Sequence, residues 1–350
     1  VCALGRFYRH LTKEGNAMAV PTNTRETYGA IGIREDLSNI IYNISPTDTP
    51  FLNGCGRGTA DNTLFEWQTD TLKTAAANLQ IEGNDYTSTA ATEPRRLSNY
   101  TQISATQVQS SGTAEAVDFA GRKSTQAYQL AKRAKEMKRD MEFMLLEGTV
   151  KSAGSSGAAR NTACFSTWIG TTVNATSNVV AASTGLGLTN NGAGAAGPDG
   201  TTEAGTGGAD TAITIALVNN VAERIWNLGG TPDTILCDGT VKGTISSSTV
   251  GGAVVAEPRA NHGGSGPITA VNAVDVLVTD FGTFKVVPDR HIPATQVDFI
   301  DFDLWSVDYL RPFRTETLAK SGDSVKQLLI AEYGLRAKNG NGSGQLKSAI

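Results

Sequence analysis

Thr63-Leu64-Phe65-Glu66-Trp67-Gln68-Thr69-Asp70-Thr71-Leu72-Lys73 alternates with a period of two, so that Phe65, Trp67, Thr69 and Thr71 share one side of an extended strand. A weaker alternation from Tyr100 to Val108 answers it, and the Gly/Asn/Thr-rich stretch from Thr74 to Arg96 between them predicts a long hairpin with one aromatic face. A lone hairpin is marginal in water. Its aromatic face needs a cover, supplied either by the body of the same chain or by a neighbouring copy, which would also shield the strand edges.

Downstream, Gly112-Thr113 offers a helix start, Glu115 and Asp118 suit its positive end, and Gly121 interrupts before a helix predicted over Arg122 to Leu146. Ala127, Leu130, Ala134, Met137, Met141, Met144 and Leu145 recur near helical spacing, with Lys132, Arg133, Lys135, Lys138 and Arg139 opposite. At 1.5 Å per residue this is a spine of about 37 Å. The spacing of the methionines marks them as core filler, and the basic face reads as solvated or paired with an acidic neighbour.

Ser152 to Asp210 is rich in Gly, Ala, Ser, Thr and Asn, and an apolar island at Phe165, Trp168 and Ile169 pins it to the body. A second helix, Ala212 to Leu228, stops at Gly229-Gly230 with Pro232 beyond. Strands are predicted at Thr234 to Cys237, Val274 to Thr279, Thr283 to Val287, Val297 to Leu310 and Ser324 to Lys338, with a Gly-rich loop over Gly251 to Gly266. Helix and strand signals alternate irregularly, which favours α+β over a doubly wound parallel sheet. Upstream, Pro21 to Gly58 has prolines at Pro46 and Pro50, short helix signals around Ile33 to Ile41 and little core of its own. It reads as an arm laid along another surface or as an irregular opening strand. Val1 to Ala17 differs in character, and Lys13-Glu14-Gly15 ahead of Met18 suggests a translation start at Met18, with a genuine short basic leader as the alternative.

The 350 residues carry 30 basic and 34 acidic side chains, a net charge of −4, too balanced for a protein whose main grip is on nucleic-acid phosphates. Only 18% of residues are charged, against about 25% in a typical domain, and small polar residues and glycine fill the deficit. Such a surface suits contact with other protein. No apolar run approaches the roughly eighteen residues that would span a bilayer.

Chemistry finds little foothold. Cys2, Cys55, Cys164 and Cys237 make no CxxC pair, and His10, His262 and His291 are isolated, so no metal site is supported. Gly192 to Gly197 matches GxGxxG, but Pro198, Asp199 and Gly200 stand where a helix must open. Asp298, Asp301, Asp303 and Asp308 could offer oxygens to a hard cation. Alternation splits them between two faces, which favours an exposed edge or turn. Catalytic, cofactor and metal sites are therefore all read as none.

Taken in order, the segments resemble the major capsid proteins of tailed bacteriophages, in the sub-group that opens with a Pro-Thr-Asn-Thr arm. The carriers are Ala19-Val20-Pro21-Thr22-Asn23-Thr24, Arg34-Glu35-Asp36-Leu37-Ser38, Ile41 to Phe51, Glu66-Trp67-Gln68-Thr69-Asp70, Asn99 to Ser104, Ala120-Gly121-Arg122-Lys123, Lys138 to Glu142, Pro232 to Leu236, Leu310-Arg311-Pro312-Phe313 and Leu318 to Ser324. They span most of residues 19 to 340 and thin across 150 to 210 and 245 to 270. The resemblance implies the Hong Kong 97-type capsid fold. Its expected parts are a leader at 1–17, an N-terminal arm at 18–58, an extended hairpin loop at 59–112, a peripheral domain with spine helix and Gly-rich insertion at 113–210, an axial domain at 211–312, and a return to the peripheral domain with the tail at 313–350.

The function implied is mechanical: hexamers and pentamers of this chain closing as an icosahedral shell around packaged double-stranded DNA held without sequence readout. A separate scaffolding protein and a portal are implied partners, with room for a decoration protein and no membrane. The virion is the expected location, preceded by the host cytoplasm. Phe65, Trp67, Tyr100, Ile44 and Phe51 are the expected assembly contacts. A nanocompartment of the same fold and an exported Gly/Thr-rich adhesin are the alternatives, and an enzyme has least support.

Overall fold

The computed structural model describes residues 45–70, 72, 75–83, 85, 93–169, 179–181, 200–201, 212–247, 275–320, 322–347 and 349. The sequence readings at Val1 to Ala17, Met18, Ile33 to Ile41, Ile44, Lys73, Gly192 to Gly197, Gly251 to Gly266 and His262 lie outside them.

The first described element, α1 (Pro50–Gly54), opens with proline at its first turn, where the missing N–H costs nothing. Two strands follow, β1 (Gly56–Thr59) and β2 (Leu64–Thr69), and β2 pairs antiparallel with β3 (Arg95–Tyr100). This corrects the expected pairing. Residues 102–111 form a separate strand, β4 (Gln102–Ser111), that lies against the long strand near the C-terminus instead. Register between distant strands is a tertiary choice, and alternation alone does not name the partner.

After a short helix, α2 (Gly112–Ala116), Gly121 takes a positive φ of 79° and the spine helix α3 runs from Thr125 to Glu147, three residues later than its predicted start. Its true cap is Ser124, whose hydroxyl accepts from Ala127 N. The second half-molecule is built from β5 (Val179–Ala181), α4 (Ile215–Asn227), β6 (Thr234–Cys237), α5 (Gly239–Ser247), β7 (Val276–Thr279), β8 (Gly282–Pro288) and β9 (Gln296–Ile300). The predicted strand Val297 to Leu310 is two strands. A single 3₁₀ turn, Phe302–Leu304, divides β9 from β10 (Trp305–Thr317), with the Asp301 carboxylate accepting from Asp303 N at 3.1 Å. The chain closes with β11 (Ser324–Ala337) and β12 (Gly344–Lys347).

Two main sheets result. One has the order β1-β10-β11-β4, in which β1 runs parallel to β10 and the other pairs are antiparallel. The β10–β11 ladder slips twice between Tyr309 and Arg314, around Pro312, which has no N–H to give the ladder. The other sheet has the order β5-β12-β9-β6-β8-β7. Its central strands β6 and β9 are buried along their whole length. Ile235, Cys237, Val297 and Phe299 face α4 and α5, and Leu236 and Ile300 face the first core.

That first core gathers Phe51, Leu52, Met141, Leu145, Phe165, Trp168, Trp305, Tyr333 and Leu335, so the arm helix, the spine helix, the apolar island and both sheets meet there. Trp168 is 1% exposed and pins its segment as expected. Met137 packs with Leu329 and Ala331, seating the spine helix on β11.

Candidate assembly surfaces

The base of the hairpin is built inward. Phe65 is 5% exposed, stacks on Trp67 with ring centroids 5.7 Å apart, and Trp67 meets Trp168 at 5.3 Å. The Arg336 guanidinium lies over both rings, 5.6 Å from Phe65 and 5.8 Å from Trp67. Gly334 on β11 makes room for Phe65, because a Cβ there would come within 2.5 Å of the ring. The body of the same chain therefore provides the cover that the sequence left open. Phe51 is likewise fully buried, edge-on to Phe165 at 5.6 Å. Neither ring keeps enough free surface to offer a neighbour; both hold the chain together. Trp67 and Tyr100 are half-buried, and Ile44 lies outside the described residues.

Beyond Thr69 the hairpin turns outward. Leu72 is 98% exposed, Leu79 91% and Ile81 78%, three aliphatic side chains left open among the described residues. Between Thr74 and Pro94 the only charges are Glu82, Asp85 and Glu93, all acidic. Sequence reading passed over Leu79 and Ile81, although two aliphatics at period two inside a polar loop are a legible signal.

The spine helix presents the opposite chemistry. A groove of about 360 Å³ runs between Ser45-Pro46-Thr47 and the helix face made by Tyr128, Ala131, Lys132, Lys135 and Arg139. Within it Glu136 is engaged by Lys132 and by Arg133, the latter at 2.8 Å, which leaves the face net positive.

Polar groups inside the molecule are structural. Glu332 on β11 is 3% exposed and is held by Arg160, by Arg311 at 2.7 Å and by the Thr101 hydroxyl at 2.9 Å. The acidic run is divided differently from the expected exposed edge. Asp298 and Asp308 are buried, because Gln296 and Gln345 donate to Asp298 while Ser306 and Arg336 serve Asp308. Burial pushes the Asp298 carboxyl up to about 7. Among the described residues no three His, Cys, Asp or Glu side chains converge on one point where a metal ion could sit. Cys55, Cys164 and Cys237 are buried free thiols, and burial raises Cys164 to about 11 and Cys237 to about 12, which keeps both protonated and unreactive.

Comparison with known proteins matches this architecture to capsids. The cyanophage A-1(L) capsid superposes with a TM-score of 0.65 at 13% identity, over 91% of this chain and 97% of that one. The capsid of a native GTA particle does so with a TM-score of 0.63 at 11% identity, over 95% and 100%. The shared fold is of the Hong Kong 97 type, α+β, as the resemblance implied. In sequence the chain is 29% identical over 359 residues to the major capsid protein of Escherichia phage Phieco32, covering 92% of this chain and 96% of that protein. The model of the SU10 major capsid protein family matches residues 20–349, a range that takes in every described element. The chain belongs to the SU10 major capsid protein family.

Proposed function

We propose that this chain builds the head shell of a tailed, double-stranded DNA bacteriophage by self-assembly through hexamers and pentamers, and that its outward hairpin is the element that grips the next copy. The observation that carries this reading is the hairpin itself: a base locked to its own body and a reach that exposes Leu72, Leu79 and Ile81. Burial of one such aliphatic side chain contributes roughly 1.5–3 kcal/mol. Three of them, repeated around a shell, are ample. The acidic character of the tip fits the basic groove along the spine helix of an adjacent copy, which favours that groove as the seat.

Phe65 and Phe51 act one step back, by fixing where the hairpin and arm leave the body. Trp67 and Tyr100, half-buried at the hairpin base, and Ile44 in the arm remain proposed contacts. A net charge of −4 suits an inner wall that encloses DNA without gripping it. A separate scaffolding protein, a portal and a decoration protein complete the proposed partners. The role is mechanical, with no catalytic step assigned.

Electron microscopy of the chain expressed in bacteria tests the reading. Closed shells, tubes or capsomer rings are expected from the wild type, and nuclease-protected DNA inside particles from infection separates a virion from a nanocompartment. Replacing Leu72, Leu79 and Ile81 together by serine should leave a folded chain that no longer closes shells. A wild-type chain that stays a monodisperse monomer with and without its partner proteins overturns the assembly reading.

A further inference from the structure

Cross-strand pairing in the four-stranded sheet puts Gly56 and Gly58 of β1 on the same face as Ser306 and Asp308 of β10 and Gly334 and Arg336 of β11. The hairpin base covers the β11 part of that face, with Phe65 over Gly334 and Trp67 beside Arg336. Over β1 the face is bare, because two glycines in alternate positions raise no side chain. A Cβ at Gly58 would collide with the Asp308 carboxylate, so only glycine fits there. The result is a cleft of about 460 Å³ above the glycines, lined by Trp67, Gln68, Arg336 and Lys338 and within the size range of ligand sites. Arg57, between the two glycines, belongs by alternation to the opposite face.

Its polar groups are unevenly matched. Asp308, 1% exposed, is the one carboxylate lining the cleft: Oδ1 accepts from Ser306 Oγ at 2.9 Å, and Oδ2 lies 2.5 Å from Arg336 Nη2 as a charge contact. That contact balances Arg336 and leaves Lys338 uncompensated. Lys338 is exposed; its ammonium rests on the Asp303 carbonyl oxygen at 2.7 Å, and among the described residues no carboxylate is in ion-pair reach of it. Two more donors on the walls, Trp67 Nε1 and Arg336 Nε, are buried without a hydrogen-bond partner. Orphaned N–H groups of this kind are rare in a folded protein and point to an acceptor that the chain alone does not supply. A group that suits the cleft brings oxygens and a negative charge, which describes a carboxylate.

We propose that this cleft receives an Asp or Glu side chain from a second copy of the chain, taken by Lys338 with Arg336 beside it. The inference rests on the assembly reading and deepens it, adding a polar contact at the root of the hairpin whose reach grips through aliphatic side chains. A second copy is the source for two reasons. The cleft is continuous with the hairpin through Trp67 and Gln68 of β2, the element assigned to the contact between copies. The chain also carries exposed acids with no ion pair of their own among the described residues, including Asp118, Asp140 and Glu147. Identical copies therefore offer complementary charges.

The test is carbodiimide coupling of assembled particles, which joins an amine to a carboxyl that touches it. Cross-linked dimers are separated from single chains on a denaturing gel and digested for mass spectrometry. The expected product is a peptide that ties Lys338 to an Asp or Glu and occurs in the dimer band alone. A Cβ at Gly56 meets nothing closer than 3.3 Å, so Gly56→Leu fills the cleft floor without altering a charge. It should cut the yield of that peptide about tenfold relative to other cross-links between copies. Gly56→Ala, a smaller filling that keeps the test readable if the leucine variant does not fold, should cut it less but measurably. Coupling of Lys338 only within single chains overturns the proposal, as does a yield unmoved by either substitution or a bond from Lys338 to a different protein. A chain that forms no particles fails the assembly reading itself and takes this inference with it, whereas particles without the Lys338 bond sink this inference alone.

Discussion

The Phe65 ring lies against Gly334 with no space for a side chain between them: an added Cβ would sit 2.5 Å from one ring atom, 2.8 Å from a second, and 3.0 Å from the Tyr100 carbonyl oxygen. The hairpin base is thus seated on the one position of β11 that lacks a side chain. Gly334→Ala should push Phe65 off that seat and destabilise the chain by about 1–3 kcal/mol, the usual cost of overpacking. Thermal unfolding compared with wild type checks this. The companion change Phe65→Leu in the alanine background should recover part of the loss, and a melting temperature unmoved by Gly334→Ala would refute the contact.

Glu332 holds two arginines at once. Its side chain is 4% exposed while those of Arg160 and Arg311 are 30% and 34% exposed, so the guanidiniums can partly rehydrate when the carboxylate is removed. The cost of Glu332→Ala should therefore fall to about 2–3 kcal/mol, below the ~3–5 kcal/mol of a fully buried broken pair. Denaturant unfolding of the variant against Arg311→Ala and the double mutant would give the coupling directly.

Asp298 predicts a pH dependence of known sign. Burial raises its carboxyl from 3.8 to about 7, so between those values the folded chain keeps a proton that the unfolded chain releases. Its contribution is complete below 3.8 and is lost as pH rises through about 7. Asp298→Asn, which keeps the shape and removes the titration, should gain on the wild type steadily across that window in melting temperature. Parallel curves would contradict the assignment.

Gly229 ends α4 at a φ of 86°, with nothing within 4 Å of where a Cβ would stand. Space is free and only the backbone objects. Gly229→Ala should cost about 1–2 kcal/mol through the left-handed conformation alone, measurable by chemical denaturation and unaccompanied by any change in the packing of Ile225.

What could be read from sequence follows the range of the interactions involved. Both long helices were legible to within a few residues, because Met137, Met141 and Leu145, or Val218, Val221 and Ile225, repeat at the helical period and their caps are local. Strands β6, β8 and β11 were legible for the same reason. The partner of β2 was not, since Leu64 to Thr69 pairs with Arg95 to Tyr100 through a register that no local pattern states. Phe302 and Leu304 look strand-like, and only the Asp301 cap reveals the break. The acids Asp298 and Asp308 misled most, because Gln345 and Arg336, which help hold them inside, lie far along the chain and alternation treats such acids as solvent-facing. The resemblance supplied the overall architecture, and it also assigned outward roles to Phe65 and Phe51 that their neighbours had already taken.

The side chain of Asn99 donates to the Leu335 carbonyl across 236 residues, and β4 pairs with the strand that carries Leu335. Synthesis therefore delivers the hairpin long before the shelf on which its base rests. Until β11 has left the ribosome, Phe65 lacks its seat against Gly334 and the cover of Arg336. Long-range closure of this kind is slow and comes late in folding. A chain cut before β11 therefore lacks the seat against which Phe65 rests.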